Sequence, residues 1–561
     1  MQQPPVGRRR FLRLSAGAVA GLPLLLQACG SSAGAPSSAT GAPAPAGAAS
    51  APASGSASPK TAGSGLKLPT YVPPNVANPD IAGSPQGLPP AYFSFPKDLT
   101  KSVQGVPGKG GDFAPMVITN SGPVAPLAQN PAWQEVNKQL GVNLKPNVVA
   151  APDYITKTNA LVAAGDVPEL FLAFTSFPGM PDMLNSLCAD LTPYLAGDAI
   201  KDYPNLAATP SFAWPFAVFS GKIFGIPSGT GGLGGGMLYN QTLLDQASIT
   251  SIANTDDFTR AAKAVTKAGS GLYAFASYPL GWFLEVFRAP NGWRLDGGKL
   301  TKDWETPEYK AAVAYLRSLY DAGVINPDSP NITPTASVNN WYAAKSTFAY
   351  TTYANYMLGY DRLASTTASA KPRAMQPFGH DGGKGVQFLG STATLTLLKK
   401  ASPDRIKELL AVLNFTTAPF GTQEWLLLHY GIKDVDFKFD DKGNPLLTQQ
   451  GSQDVTVSPP WLLGGGTSVL YDAAHPDFAK QASQDESAAL KIGVADPTAG
   501  LYSPANAQKG VVITMKVNDG VKSIVFGRED ITAFDQLVKD WRAGGGDQVR
   551  AEFEQLIQSG S

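Results

Sequence analysis

Leu170-Phe171-Leu172-Ala173-Phe174 contains no polar residue, as a strand buried on both faces of a parallel sheet requires. The sequence before it supplies the partners. Met116-Val117-Ile118-Thr119 reads as a first strand ending at Asn120-Ser121-Gly122, and Val142 to Val149 as a second. Between them, Asn130-Pro131-Ala132-Trp133 opens an amphipathic helix that runs through Leu140 and closes at Gly141. A second helix, Asp153 to Ala164, closes at Gly165. The alternation β-α-β-α-β predicts an open α/β sheet, whose ligands sit outside the carboxyl ends of its strands.

Further along, Thr306-Pro307-Glu308 and Ser402-Pro403-Asp404 each combine a capping hydroxyl, a proline at the first helical position and an acid in the first turn. The last helices are expected at Ile531 to Trp541 and Gln548 to Ile557. Upstream, Arg8-Arg9-Arg10-Phe11-Leu12 resembles a twin-arginine export signal, and the apolar stretch Leu14 to Leu26 is too short to span a bilayer. Leu26-Gln27-Ala28-Cys29 resembles a lipobox, so residues 1–28 are expected to be removed and Cys29 to carry lipid. Residues 29–111 are rich in Ala, Ser, Gly and Pro and are expected to form a lipid-anchored flexible tether, with Tyr92, Phe93 and Phe95 able to dock on the body.

The precursor has no net charge, and removal of residues 1–28 deletes four arginines and no acids, leaving a chain near −4. That balance argues against a nucleic-acid partner. Cys188 has no partner once Cys29 is acylated, so no disulfide is expected. Gly229 to Gly234 has the spacing of a dinucleotide fingerprint but leads into a strand, where the fingerprint requires a helix. Gly30-Ser31-Ser32-Ala33-Gly34 has a nucleophile-elbow pattern, but it falls inside the expected tether, and an elbow requires a strand-to-helix turn. His380, His429 and His475 are far apart, and Asp436 to Asp441 with Lys442-Gly443-Asn444 reads as a hairpin turn. No metal, cofactor or catalytic residue is therefore expected, although 44 acids always allow some carboxylate pair to be named.

Six landmarks in order resemble those of the extracellular solute-binding proteins of carbohydrate ABC importers (family 1 type, the long oligosaccharide-binding lipoproteins). They are Tyr154 to Lys157 with Ala163-Ala164-Gly165-Asp166-Val167-Pro168-Glu169-Leu170, and Gly221-Lys222-Ile223-Phe224-Gly225-Ile226-Pro227. Next come Leu238-Tyr239-Asn240 with Asp256-Asp257-Phe258, and Pro307-Glu308-Tyr309-Lys310. Leu319 to Pro327 and Trp541 to Asp547 with Glu552 complete the set. The resemblance implies a two-lobed periplasmic-binding-protein-like fold (type II), with lobes joined by crossing hinge strands. It places lobe one at 112–233 and 388–495 and lobe two at 237–387 and 496–561, with a glycine-rich hinge at Gly231 to Gly236.

A sugar presents an apolar face and a rim of hydroxyls, which suits aromatic side chains set among amides and hydroxyls. On that chemistry and the family's cleft loops, the ligand-binding candidates are Asn120, Ser121, Phe174, Thr175, Ser176, Tyr239 and Tyr278. The same reasoning adds Trp282, Trp341, Tyr353, Asn355, Tyr356, Trp461 and Tyr502. Each tryptophan taken singly is as readily a core residue. The expected protein is a monomeric, non-enzymatic lipoprotein on the extracellular face of the bacterial cell membrane. It would deliver an oligosaccharide to ABC permease subunits. The alternatives are a surface-anchored carbohydrate-active enzyme and a peptide-binding protein.

Overall fold

The computed structural model describes residues 65–84, 86–119, 126–175, 177–228, 232–366, 370–390, 394–455 and 468–559. The export signal, Cys29, Asn120, Ser121, Ser176 and Trp461 lie outside the described residues.

The first sheet has the order Asn147–Ala150, Met116–Thr119, Leu170–Phe174, Thr394–Leu398, Gly225–Ser228. The first three strands are parallel, and Thr394–Leu398 runs antiparallel to both its neighbours. Four strands therefore end at one edge, where Thr394 pairs with Phe174 and Ser228. The expected second strand is two pieces, Asn143–Leu144 and Asn147–Ala150, because Pro146 between them has no N–H to donate. Local chemistry fixes the helices. Asn130 Oδ1 accepts the Trp133 N–H at 2.9 Å, and Gly141 ends that helix at φ 68°. Tyr154 is buried between the next helix and the sheet, its hydroxyl meeting the carbonyl and N–H of Leu172, each at 3.0 Å.

The second sheet has the order Tyr273–Phe275, Ser346–Thr351, Gly236–Asn240, Pro372–Met375. Alternate residues of Gly236–Asn240 serve two cores. Met237 packs with Phe258, Phe275, Phe283 and Phe348 on one face, and Leu238 with Trp341 and Tyr356 on the other. The first sheet has its own core, built around Phe171, Leu395 and Leu397. Residues 437–439 and 445–447 form the hairpin read from the sequence, with Asp440 Oδ1 accepting the N–H groups of Lys442 and Asn444.

Two placements differ from expectation. Helix Pro476–Leu490, expected with lobe one, buries Phe478, Ala479 and Ala482 against Trp341 and Tyr356 behind the second sheet. Residues 65–111, expected as tether, lie on the body. Tyr92, Phe95 and Val103 enter the first core, and the Tyr92 ring lies 4.6 Å from that of Phe420. Phe93, in contrast, remains exposed. A buried acid fixes this strap: Glu424 accepts from the backbone N–H groups of Ser102 and Val103, both at 3.0 Å, and from Ser102 Oγ at 3.1 Å. Composition alone misses such docking, because a few well-placed apolar residues and one satisfied carboxylate outweigh the surrounding Pro and Gly. Glu424→Ala would leave two backbone donors unpaired and is expected to cost about 2–4 kcal/mol. Limited trypsin digestion should then cut at Lys97 or Lys101 at least about tenfold faster than in the parent. Equal rates would show that the strap is held elsewhere.

Among the described residues, no helix is long and apolar enough to cross a membrane.

Candidate functional site between the two sheets

The two sheets meet edge to edge through their connections. Ser228 ends a strand of the first sheet and Gly236 begins a strand of the second, so residues 229–235 carry the chain across. Two further segments lie beside this crossing. Gly234 N–H donates to the Phe388 carbonyl at 3.0 Å, and Gly390 N–H to the Gly232 carbonyl at 3.1 Å. Gln387–Phe388 pairs in turn with Gly493–Val494. Asn291 ties the last two together, its Nδ2 donating to the Leu389 and Val494 carbonyls at 3.1 and 2.9 Å. The facing edges are Thr119, Phe174, Ser228 and Thr394 on one side, and Phe275, Thr351, Gly236 and Met375 on the other.

Several expected ligand residues stand at these edges. Phe174 and Thr175 are half-buried where the central strand of the first sheet ends. Tyr278 follows Tyr273–Phe275; its N–H donates to Ser329 Oγ at 3.0 Å, and its ring packs edge-on against Phe526. Burial, reinforced by the Asp519 carboxylate, pushes the Tyr278 hydroxyl up to about 12. Tyr353 follows Thr351, and its buried hydroxyl has no hydrogen-bond partner among the described residues. Its ring lies so close to Gly236 that a Cβ there would stand 2.7 Å from it. Tyr502 joins the two sides: its hydroxyl accepts the Gly179 N–H at 3.1 Å, and its ring packs against Phe219.

Others are elsewhere. Trp341 and Tyr356 are fully buried behind the second sheet, and Tyr356 donates to Asp485 Oδ2 at 3.0 Å. Asn355 is committed locally, donating to Thr351 Oγ1 at 2.8 Å and accepting from the Tyr342 hydroxyl at 2.9 Å. The polar residues that made this stretch look sugar-facing thus satisfy one another. Tyr239 packs on the second core near Phe348. Trp282 is fully buried beside Phe378, and its Nε1 has no partner among the described residues.

Sequence reasoning missed the group that binds the crossing to the second sheet. Glu285 is fully buried, and its Oε1 accepts from Gln387 Nε2 and from the Phe388 N–H, both at 2.8 Å. The same Gln387 Nε2 donates to the Gly235 carbonyl at 2.6 Å. Burial pushes the Glu285 carboxyl well above its ordinary range, with the Phe388 N–H pulling the other way. The available signal was an acid inside the apolar run Trp282-Phe283-Leu284-Glu285-Val286. Tyr350 fills the adjoining space, its ring against Gly235 and Gly281, and burial followed by Glu285 raises its hydroxyl. Behind Tyr353, burial and then Asp485 raise the Glu486 carboxyl to about 8.

Aromatic faces and hydroxyls can bind a polar ring, and no group of three metal-ligating side chains exists among the described residues. Burial pushes the Cys188 thiol up to about 12 and lowers His429, stacked on Trp425, to about 4. Neither is therefore poised for nucleophilic or general-base work.

Comparison with known proteins agrees with this architecture. The chain is 25% identical over 457 residues to the polygalacturonan/rhamnogalacturonan-binding protein YtcQ of Bacillus subtilis, covering 76% of this chain and 88% of that protein. It is 24% identical to lipoprotein LipO of the same organism, covering 78% of this chain and 90% of that one. In fold it is similar to an HMO-binding, ABC-transporter-associated solute-binding protein of Bifidobacterium longum infantis, at TM-score 0.60 and 13% identity over 80% of this chain and 99% of that one. The calcium-free alginate-binding protein AlgQ2 gives TM-score 0.59 and 14% identity over 82% and 99%. These are two-lobed binding proteins, and the two sheets with their separate cores are the two lobes here. The family model for bacterial extracellular solute-binding proteins matches residues 132–431, more than half of the chain, and the protein belongs to that family.

Proposed function

We propose that this chain is the substrate-binding lipoprotein of an ABC importer, which encloses an oligosaccharide between its lobes and presents it to membrane permease subunits. The observation that carries this reading is the junction itself. Two α/β sheets are joined, at the edges where their strands end, by three adjacent crossing segments, and Tyr278, Tyr353 and Tyr502 stand beside these edges. A ligand that touches both edges gains contacts only when they approach, and that difference drives closure. The ligand contacts would come from Thr175 and these tyrosines, together with Asn120, Ser121, Ser176 and Trp461. The sugar-binding names of the relatives support the ligand class. The lipobox-like Leu26-Gln27-Ala28-Cys29, the twin-arginine-like Arg8-Arg9-Arg10 and the lipoprotein relative support export and anchoring through Cys29 at the outer face of the membrane.

Calorimetric titration of the full-length protein with an oligosaccharide panel tests the reading. Saturable one-to-one binding, with the sugar recovered intact by mass spectrometry, is expected. Cleaved sugar would convert the reading to a surface enzyme, and binding of peptides with no glycan bound would overturn it.

A further inference from the structure

The strap does more than lie on the first lobe, because adjacent residues of it belong to different cores. Ile81 and Ala91 pack with Leu238 and Trp341 behind the second sheet, whereas Tyr92 and Phe95 enter the core of the first. Two backbone bonds between Ile81 and Ala91, at 2.9 and 3.1 Å, close the chain between them into a narrow loop. The chain at 469–471 divides in the same way. Leu470 packs behind the second sheet, and Val469 and Tyr471 pack on the first core. The two divided segments are bonded side by side. Tyr92 N–H donates to the Leu470 carbonyl and Leu470 N–H to that of Pro90, both at 2.9 Å.

The tip of the loop reaches the junction. Gly87, at φ 100°, donates its N–H to the Ser84 carbonyl at 3.0 Å, and the backbone of Gln86 and Gly87 lies directly on Gly232. A Cβ on Gly87 would stand 2.8 Å from Gly232 N and 2.9 Å from the Phe212 ring. A Cβ on Gly232 would stand 2.6 Å from the Gln86 carbonyl oxygen and 2.9 Å from that of Gly87. Glycine facing glycine is what lets two backbones come this close. Gly232 is also the residue whose carbonyl accepts the Gly390 N–H within the crossing. A swing of one lobe against the other must therefore bend the strap between Ala91 and Tyr92. It must also slide Gly232 past a tip that leaves no room for a methyl group.

We infer, resting on the oligosaccharide reading above, that the strap is a clamp on the hinge. By seating Gln86 and Gly87 on Gly232, it holds the lobes within a narrow range of arrangements and prepares them for ligand. A hinge that is already ordered loses less freedom when ligand closes it, so the clamp raises affinity from outside the ligand site.

Two changes in the full-length protein test the clamp. Deleting Gln86 and Gly87 shortens the tip and keeps the residues that bond at Ile81, Ala91 and Leu470. The amides of Gly234 and Gly390 report on the crossing without any ligand, and their hydrogen exchange should become about tenfold faster. Affinity for the bound oligosaccharide should fall about tenfold as the competent fraction of the free protein drops, with little change in Tm. Gly232→Ala, whose Cβ presses on the tip, should weaken binding in the parent and cost nothing in the shortened chain. Exchange or affinity unmoved by the deletion, or an equal alanine cost in both chains, overturns the inference. Tighter binding after the deletion also overturns it, since the strap would then oppose closure. If the parent binds no glycan, the oligosaccharide reading fails, and exchange at Gly234 and Gly390 alone decides the clamp.

Discussion

Glu486→Gln is expected to stabilise the protein at pH 8 and to leave its stability unchanged at pH 4. Glu486 lies on helix Pro476–Leu490, buried beside Asp485, with Tyr353 near and Arg373 turned to Tyr360. Its carboxyl loses a proton near pH 4.5 in the unfolded chain and near 8 in the folded one. Between those values the unfolded state holds fewer protons, so stability falls as pH rises from about 4.5 to about 8 and is flat outside that window. Glutamine keeps the shape and never ionises. The gain at pH 8 is on the order of 3 kcal/mol after the site has relaxed. For a body of this size that corresponds to a Tm higher by about 3 °C. Thermal melts of parent and variant at pH 4, 6 and 8 measure it. Parallel Tm curves would show that Glu486 is compensated in the native state and does not titrate there.

Much of the first sheet was readable because its signals are local. Asn130, Gly141 and Gly165 act on backbone groups within four residues, and the capping roles read for Thr306 and Ser402 act at the same range. The continuous run Leu170–Phe174 read as a buried strand because it is short and wholly apolar, and it is one. What the sequence did not disclose depends on distant segments. Trp341 and Tyr356 sit among amides and hydroxyls and read as ligand-facing, yet Phe478 and Ala91 cover them from far along the chain. Whether an amphipathic surface meets solvent or another element is decided by what folds onto it, and no local window contains that element. The same holds for residues 91–103, whose burial needs Phe420, Glu424 and Asn444. Glu285 was hidden for a further reason: its partners, the Phe388 N–H and Gln387, exist only once the crossing segments lie side by side.

The junction's glycines distinguish two accounts of that region, and Gly281→Ala decides between them. The family resemblance casts the glycines from Gly231 to Gly236 as a hinge, where freedom of φ and ψ is the property used. The packing suggests another use, because Gly235, Gly236 and Gly281 each stand where a Cβ would press on a tyrosine ring. Gly281 is the sharper case, since it lies in helix Leu280–Val286, outside the crossing, and has no hinge role. A Cβ there would collide with Tyr350 Cε1. The ring cannot simply retreat, because a Cβ on Gly235 would already stand 3.0 Å from its Cζ. Alanine gains up to about 1 kcal/mol of helix propensity over glycine. Overpacking of a fixed ring costs about 1–3 kcal/mol, so a net loss of about 1 kcal/mol is expected. Ligand affinity should fall by about tenfold or more, as Tyr350 shifts against Gly235 and disturbs Tyr353 at the rim. Tyr350→Leu in the same chain removes the ring and should recover most of the lost stability, a non-additivity that a double-mutant cycle measures directly. If Gly281→Ala instead raises Tm, the ring is free to move and the glycines serve the hinge alone.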